Sequence, residues 1–63
     1  AEALKLFLSS AESGNREAMF ELGQIYSRGD GVEKDDAKAK QWYEKSADAG
    51  HIPAKAVLRN RFK

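Results

Sequence analysis

The sequence predicts an all-α fold, an α-solenoid of antiparallel helix hairpins with about four helices, on three observations. The chain repeats itself at an offset of 36 positions, apolar residues recur at helical spacing in four stretches, and glycines fall where those stretches end. Under the 36-residue shift Ala3, Ser10, Ala11, Gly14, Ala18 and Leu22 land on Ala39, Ser46, Ala47, Gly50, Ala54 and Leu58. Between these identities Phe7 meets Tyr43, Glu12 meets Asp48 and Tyr26 meets Phe62. A period between about 20 and 50 residues marks stacked supersecondary units. Such stacks present extended surfaces, which turns the functional question toward binding and away from an enclosed active site.

Each helix is justified by its own pattern. In the first, Leu4, Phe7, Leu8 and Ala11 follow the i, i+3, i+4, i+7 rule, and in the second Ala18, Leu22, Ile25 and Tyr26 do so at i, i+4, i+7, i+8. Ala39, Trp42, Tyr43, Ser46 and Ala47 make the third stripe, and Ala54, Val57, Leu58 and Phe62 the fourth. Gly14 and Gly50 end the first and third helices at a position suited to positive φ, and Asn15 and Asp35 are placed to cap the second and third. Asp36 adds favourable charge to the first turn of the third helix, and Pro53 sits in the first turn of the fourth, where a missing N–H costs little. Gly29-Asp30-Gly31 opens the one longer connection. No segment alternates with period two long enough to argue a strand.

Sixty-three residues make one small domain at most. There is no cysteine, so neither a disulfide nor a thiolate metal site can form, and that absence does not choose between a cytoplasmic and an exported protein. The segment contains no signal peptide and no apolar run of the length a membrane span needs. Since the first residue is Ala1 and the pattern repeats, a piece of a longer array is the expected context. The net charge of +1 does not suggest nucleic acid, although residues 1–31 carry −2 and residues 32–63 carry +3. Lys55, Arg59, Arg61 and Lys63 supply much of the excess and read as a solvated last helix whose cations suit its dipole.

Two motifs surround these helices: Leu22-Gly23-x-x-Tyr26-x-x-Gly29-x-Gly31-Val32-x-x-Asp35, and Lys38-Ala39-x-x-Trp42-Tyr43-x-Lys45-Ser46-Ala47-x-Ala49-Gly50-His51. Together they closely resemble the Sel1-like repeat, a relative of the tetratricopeptide repeat. On this resemblance residues 15–50 are one complete repeat, residues 1–14 the second helix of a preceding one, and residues 51–63 the first helix of a following repeat or a C-terminal cap. The expected core is Leu22, Gly23, Tyr26, Ala39, Trp42, Tyr43, Ala47 and Leu58. An aromatic ring from the neighbouring helix is expected over Gly23, which otherwise costs the helix about 0.5–1 kcal/mol, and Val32 is expected to plug the loop from below. The chain departs from the family pattern at Arg59, where the repeat usually has Gly, at Phe62, where it has Tyr, and at Leu6-Phe7, where it has Trp-Tyr. Polar terminal units suit solenoid caps, so Arg59 and Arg61 suggest the C-terminal end of an array. Leu4, Leu6, Phe7 and Leu8 suggest an open seam for an upstream repeat and a face for self-association.

No catalytic, cofactor or metal site is predicted. His51 aligns with the repeat's turn residue and lacks a nucleophile and orienting partner set out in sequence. Glu33, Asp35 and Asp36, with Asp30, fail the calcium-loop spacing and enclose Lys34. Ser46 is explained by packing. The resemblance implies a protein-interaction scaffold or adaptor, often bacterial, which binds a protein or peptide partner on its helical surface. Rival readings are an inhibitory or immunity-type module sequestering one dedicated partner, and the scaffold of an enzyme such as a β-lactam hydrolase. The relatives credited with that last activity are cysteine-rich, unlike this chain. Candidate partner-binding residues are Met19, Phe20, Gln24, Ser27 and Arg28, which lie off the apolar stripe of the second helix. Phe20 either packs on the upstream helix or meets a partner.

Overall fold

Helix-stop chemistry divides the chain as the glycines predict. The computed structural model describes residues 2–61 and places four helices: α1 Glu2–Glu12, α2 Arg16–Arg28, α3 Asp36–Asp48 and α4 Ile52–Arg61. The two tight turns are copies of one another. Gly14 and Gly50 have φ of 96° and 95°. In the first turn Gly14 N–H donates to the Ala11 carbonyl at 2.9 Å and Asn15 N–H to Ser10 at 3.0 Å; in the second, Gly50 donates to Ala47 at 2.9 Å and His51 to Ser46 at 3.1 Å. Each pair of bonds satisfies carbonyls that the helix end would otherwise leave unpaired.

The helix starts differ from one another. Asn15 Oδ1 accepts from the Glu17 and Ala18 N–H groups at 3.0 and 3.2 Å, and Asp35 Oδ1 accepts from Lys38 N–H at 3.1 Å. At α4 it is the His51 backbone carbonyl that accepts, from Ala54 and Lys55 at 3.2 and 3.3 Å. Between α2 and α3, Gly29 and Gly31 take φ of 76° and 75°, and Asp35 N–H closes the loop onto the Tyr26 carbonyl at 3.0 Å. Val32, in that loop, is half-buried.

α2 packs most extensively on α3, and the α1–α2 and α3–α4 pairs follow. The Cα envelope measures 29 × 24 × 14 Å. Two helices with Cα radius about 2.3 Å and axes about 8–10 Å apart account for a thickness near 14 Å, so the slab is two helices deep. Its buried residues are mostly small: Ala11, Ala18, Ala39 and Ala54, with Gly23, Ser27 and Ser46, around Leu22 and Tyr43. Small side chains let the axes approach, and the two large ones fill what is left.

The α2–α3 hairpin is fixed by three contacts. A Cβ built on Gly23 would lie 2.7 Å from Cδ1 and Cε1 of Tyr43, so the phenol ring covers the glycine as expected. Ser46, fully buried, is more than a packing residue: its Oγ donates to the Arg16 carbonyl at 2.8 Å. Arg16 Nη1 in turn donates to the Ala49 carbonyl at 3.4 Å, holding the start of α2 to the end of α3. Of the expected core, Leu22, Gly23, Ala39 and Tyr43 are buried, whereas Tyr26, Trp42, Ala47 and Leu58 are half-buried. Phe62, expected to finish the fourth stripe, lies outside the described residues.

Candidate functional site

The five residues set apart on α2 do not share one surface. Met19 is half-buried and packs against the cluster of Ala11, Ala18 and Leu22. Ser27 was expected at the surface, but only 4% of it is exposed, which removes it from any accessible face. The reason is that α2 buries two sides. Phe20, Gly23 and Ser27, spaced i, i+3, i+7, form the side that meets α3. Glycine and serine give that side no hydrophobic signature, so apolar periodicity finds only the other one.

Phe20 packs downstream, on α3 and the turn that follows it. Its ring lies 5.5 Å from the Tyr43 ring and 5.0 Å from the His51 ring, tilted by 59° and 58°. These tilted ring contacts link α2, α3 and the turn into α4. His51 therefore serves as a wall for Phe20. Phe20 and Gln24 stay half-exposed and Arg28 is exposed. Spaced by four, the three run along one side of α2 for about 12 Å.

Beneath this stripe lies the Tyr43 phenol. Burial pushes its pKa up, while the Arg61 and Arg28 guanidiniums pull it back, Glu21 raises it and the Ser27 hydroxyl lowers it. Ser27 Oγ faces that phenol but makes no hydrogen bond of full geometry, the one such buried side-chain atom among the described residues. Arg28 and Arg61 thus both lie within electrostatic reach of the Tyr43 phenol.

A separate cavity of about 350 Å³ opens at the long loop, lined by Tyr26, Val32, Glu33, Lys34, Asp35 and Lys38. Lys38 Nζ stands 5.3 Å from the centre of the Tyr26 ring, a cation–π contact. Asp35 is occupied there as the α3 cap. Lys45 Nζ similarly lies 4.7 Å from the centre of the Trp42 ring, on the outer side of α3. Among the described residues no group of three or more His, Cys, Asp or Glu is arranged to hold a metal ion, and no helix is long and apolar enough to cross a membrane.

Paired helices, turns that repeat at 36 residues and packing between chain neighbours define a segment of an α-solenoid built from helix hairpins. The chain belongs to the Sel1 repeat family, whose model matches residues 1–15 and 16–51. Sel1 repeats are helical, tetratricopeptide-like units that generally mediate protein–protein interaction. The chain is also 38% identical over 61 residues to DAP3-binding cell death enhancer 1 of Rattus norvegicus. That alignment covers 97% of this chain and 12% of the relative, so the chain spans about an eighth of the relative's length. No solved structure matches it.

Proposed function

We propose that the chain is a non-catalytic interaction module that binds a peptide segment of a partner protein along the Phe20–Gln24–Arg28 side of α2. The observation that carries this reading is the placement of Phe20. It is a large ring, held by Tyr43 and His51 at 5.5 and 5.0 Å, that still keeps part of its surface in solvent. A pre-positioned aromatic anchor loses little entropy on binding, and such residues dominate interface energetics. Gln24 offers an amide one turn on, and Arg28 a guanidinium at the far end. The chemistry fits an extended segment of about four residues, apolar at one end and acidic at the other. A relative named for binding DAP3 supports a protein ligand in general and does not specify this one.

In this reading residues 15–50 form the complete structural unit and residues 1–14 and 51–63 are half units that frame it. The outward side of α1, where Leu6 is 69% exposed, is a second contact surface and the one through which the chain would self-associate.

The test is to select peptides against the chain from a displayed random library and measure their affinity for variants. Phe20→Ala and Arg28→Glu are each expected to weaken the selected peptides at least tenfold, about 1.4 kcal/mol. Arg28→Glu should also shift the preference away from acidic residues. Binders indifferent to both substitutions, with circular dichroism unchanged, would move the site elsewhere.

A further inference from the structure

We propose that the cavity at the α2–α3 loop is a binding site for a small carboxylate carried on an apolar or aromatic body. Its lining residues all fall between positions 26 and 38, inside one hairpin, and none belongs to the Phe20–Gln24–Arg28 stripe. Its volume of about 350 Å³ lies at the lower end of the range for ligand pockets, about 300–1,000 Å³.

The loop is longer than a turn between these helices requires. Residues 13–15 and 49–51 suffice for the other two connections, whereas residues 29–35 join α2 to α3. The extra chain is nevertheless fixed. Gly29 and Asp30 N–H groups donate to the Ile25 carbonyl at 2.8 and 3.1 Å, and Asp35 N–H donates to the Tyr26 carbonyl at 3.0 Å. A Cβ built on Gly29 would lie 3.3 Å from the Lys34 Cβ and 3.4 Å from the Val32 carbonyl oxygen, so the loop rests on the end of α2. The walls therefore stand before a ligand arrives, which spares the ordering cost of binding.

The charges of those walls select the ligand. Lys34 and Lys38 bring two ammoniums and Glu33 and Asp35 two carboxylates, yet among the described residues no ion pair joins them. Asp35 is engaged otherwise. Its Oδ1 accepts from Lys38 N–H at 3.1 Å, and its charge meets the positive end of α3. One carboxylate is then left against two ammoniums, and the cavity favours an anion. Lys38 Nζ stands 5.3 Å from the centre of the Tyr26 ring, which positions the ammonium without neutralising it. A carboxylate that reaches Lys34 and Lys38 lays its apolar body along the half-buried Tyr26 ring and Val32. An ammonium ligand would be repelled by the same two lysines.

The experiment follows the backbone amide signals of the isotope-labelled chain by nuclear magnetic resonance while phenylacetate is added. Saturable shifts confined to Tyr26 and residues 29–38 are expected, at about millimolar strength for so small a ligand. Phenylacetamide, benzylammonium and sodium chloride at equal concentration should not reproduce them. Lys34→Gln/Lys38→Gln should weaken binding about tenfold or more, since the lost contacts are charge-assisted. Lys40→Gln/Lys45→Gln removes the same charge outside the cavity and should bind like wild type. If the first double variant loses helicity by circular dichroism, the comparison of phenylacetate with its amide on the wild-type chain decides alone. A peptide ending in phenylalanine, with a free or an amidated end, then tells the source of the carboxylate. Competition by the free form alone assigns the cavity to chain termini, and no competition assigns it to free small carboxylates. An unresponsive loop, an equal response to the amide or to benzylammonium, or an equal loss in both lysine variants overturns the proposal.

Discussion

Ala11, Ala18 and Leu22 on one side of the slab, and Ala47, Ala54 and Leu58 on the other, are the same three residues 36 positions apart. Their fates differ. The first triad is buried throughout, with Leu22 at 0% exposure, whereas in the second only Ala54 is fully buried and Ala47 and Leu58 are half-buried. The difference is the cover. Trp42, with Phe7, Leu8 and Ile25, packs against the first triad. The second would need a large side chain from a following second helix, and none of the four helices supplies it. Identical residues thus become fully or only partly buried according to what stacks on them. In a solenoid, stability belongs to interfaces between units as much as to the units themselves.

That contrast can be broken most forcefully at its leucines. Leu22→Ala is expected to cost about 2–5 kcal/mol, the range for a buried leucine, and Leu58→Ala about 1 kcal/mol, in keeping with its half burial. Chemical denaturation of the two variants measures both; equal losses would mean that both triads are covered alike. Trp42→Ala is expected to cost about 3 kcal/mol by uncovering the first triad, which in so small a domain approaches complete unfolding. Leu6→Ala at the equivalent position should be neutral within about 0.5 kcal/mol, and thermal melting distinguishes the two.

Smaller effects sharpen the same comparison at its polar contact. Ser46→Ala leaves the Arg16 carbonyl without its buried partner and is expected to cost about 1 kcal/mol. Ser10→Ala, whose equivalent partner is not part of the four helices, should change the melting temperature very little. The smallest effect is electrostatic. Burial raises the Tyr43 pKa, so the folded chain holds a proton that the unfolded chain has released. Stability is then fully present below about pH 10, the ordinary tyrosine value, and falls as pH rises through it toward the folded value. Melting temperatures followed across that window should fall less in Tyr43→Phe than in wild type, and parallel curves would show that the buried phenol does not couple to folding.

Most of the fold was legible because it is written in local chemistry. Gly14 and Gly50 take the positive φ expected of them, Asn15 and Asp35 cap the expected helices, and a ring does cover Gly23. The candidate site was legible only in part. A single apolar stripe marks one buried side of a helix, and α2 has two, so Ser27 was misplaced and the contact of Phe20 with Tyr43 and His51 was not foreseen. Serine and glycine carry no hydrophobic signal of burial. They are buried here because Tyr43 and Ser46 come to them across the hairpin.

The sequence by itself determined the helices, their ends, the 36-residue period and the family, since caps, glycines and helical spacing act within a few residues of the chain. The tertiary structure decided which equivalent residues are core and which way Phe20 turns. Those outcomes depend on side chains some twenty to forty positions apart meeting in space. No local pattern encodes a cover that another helix must bring.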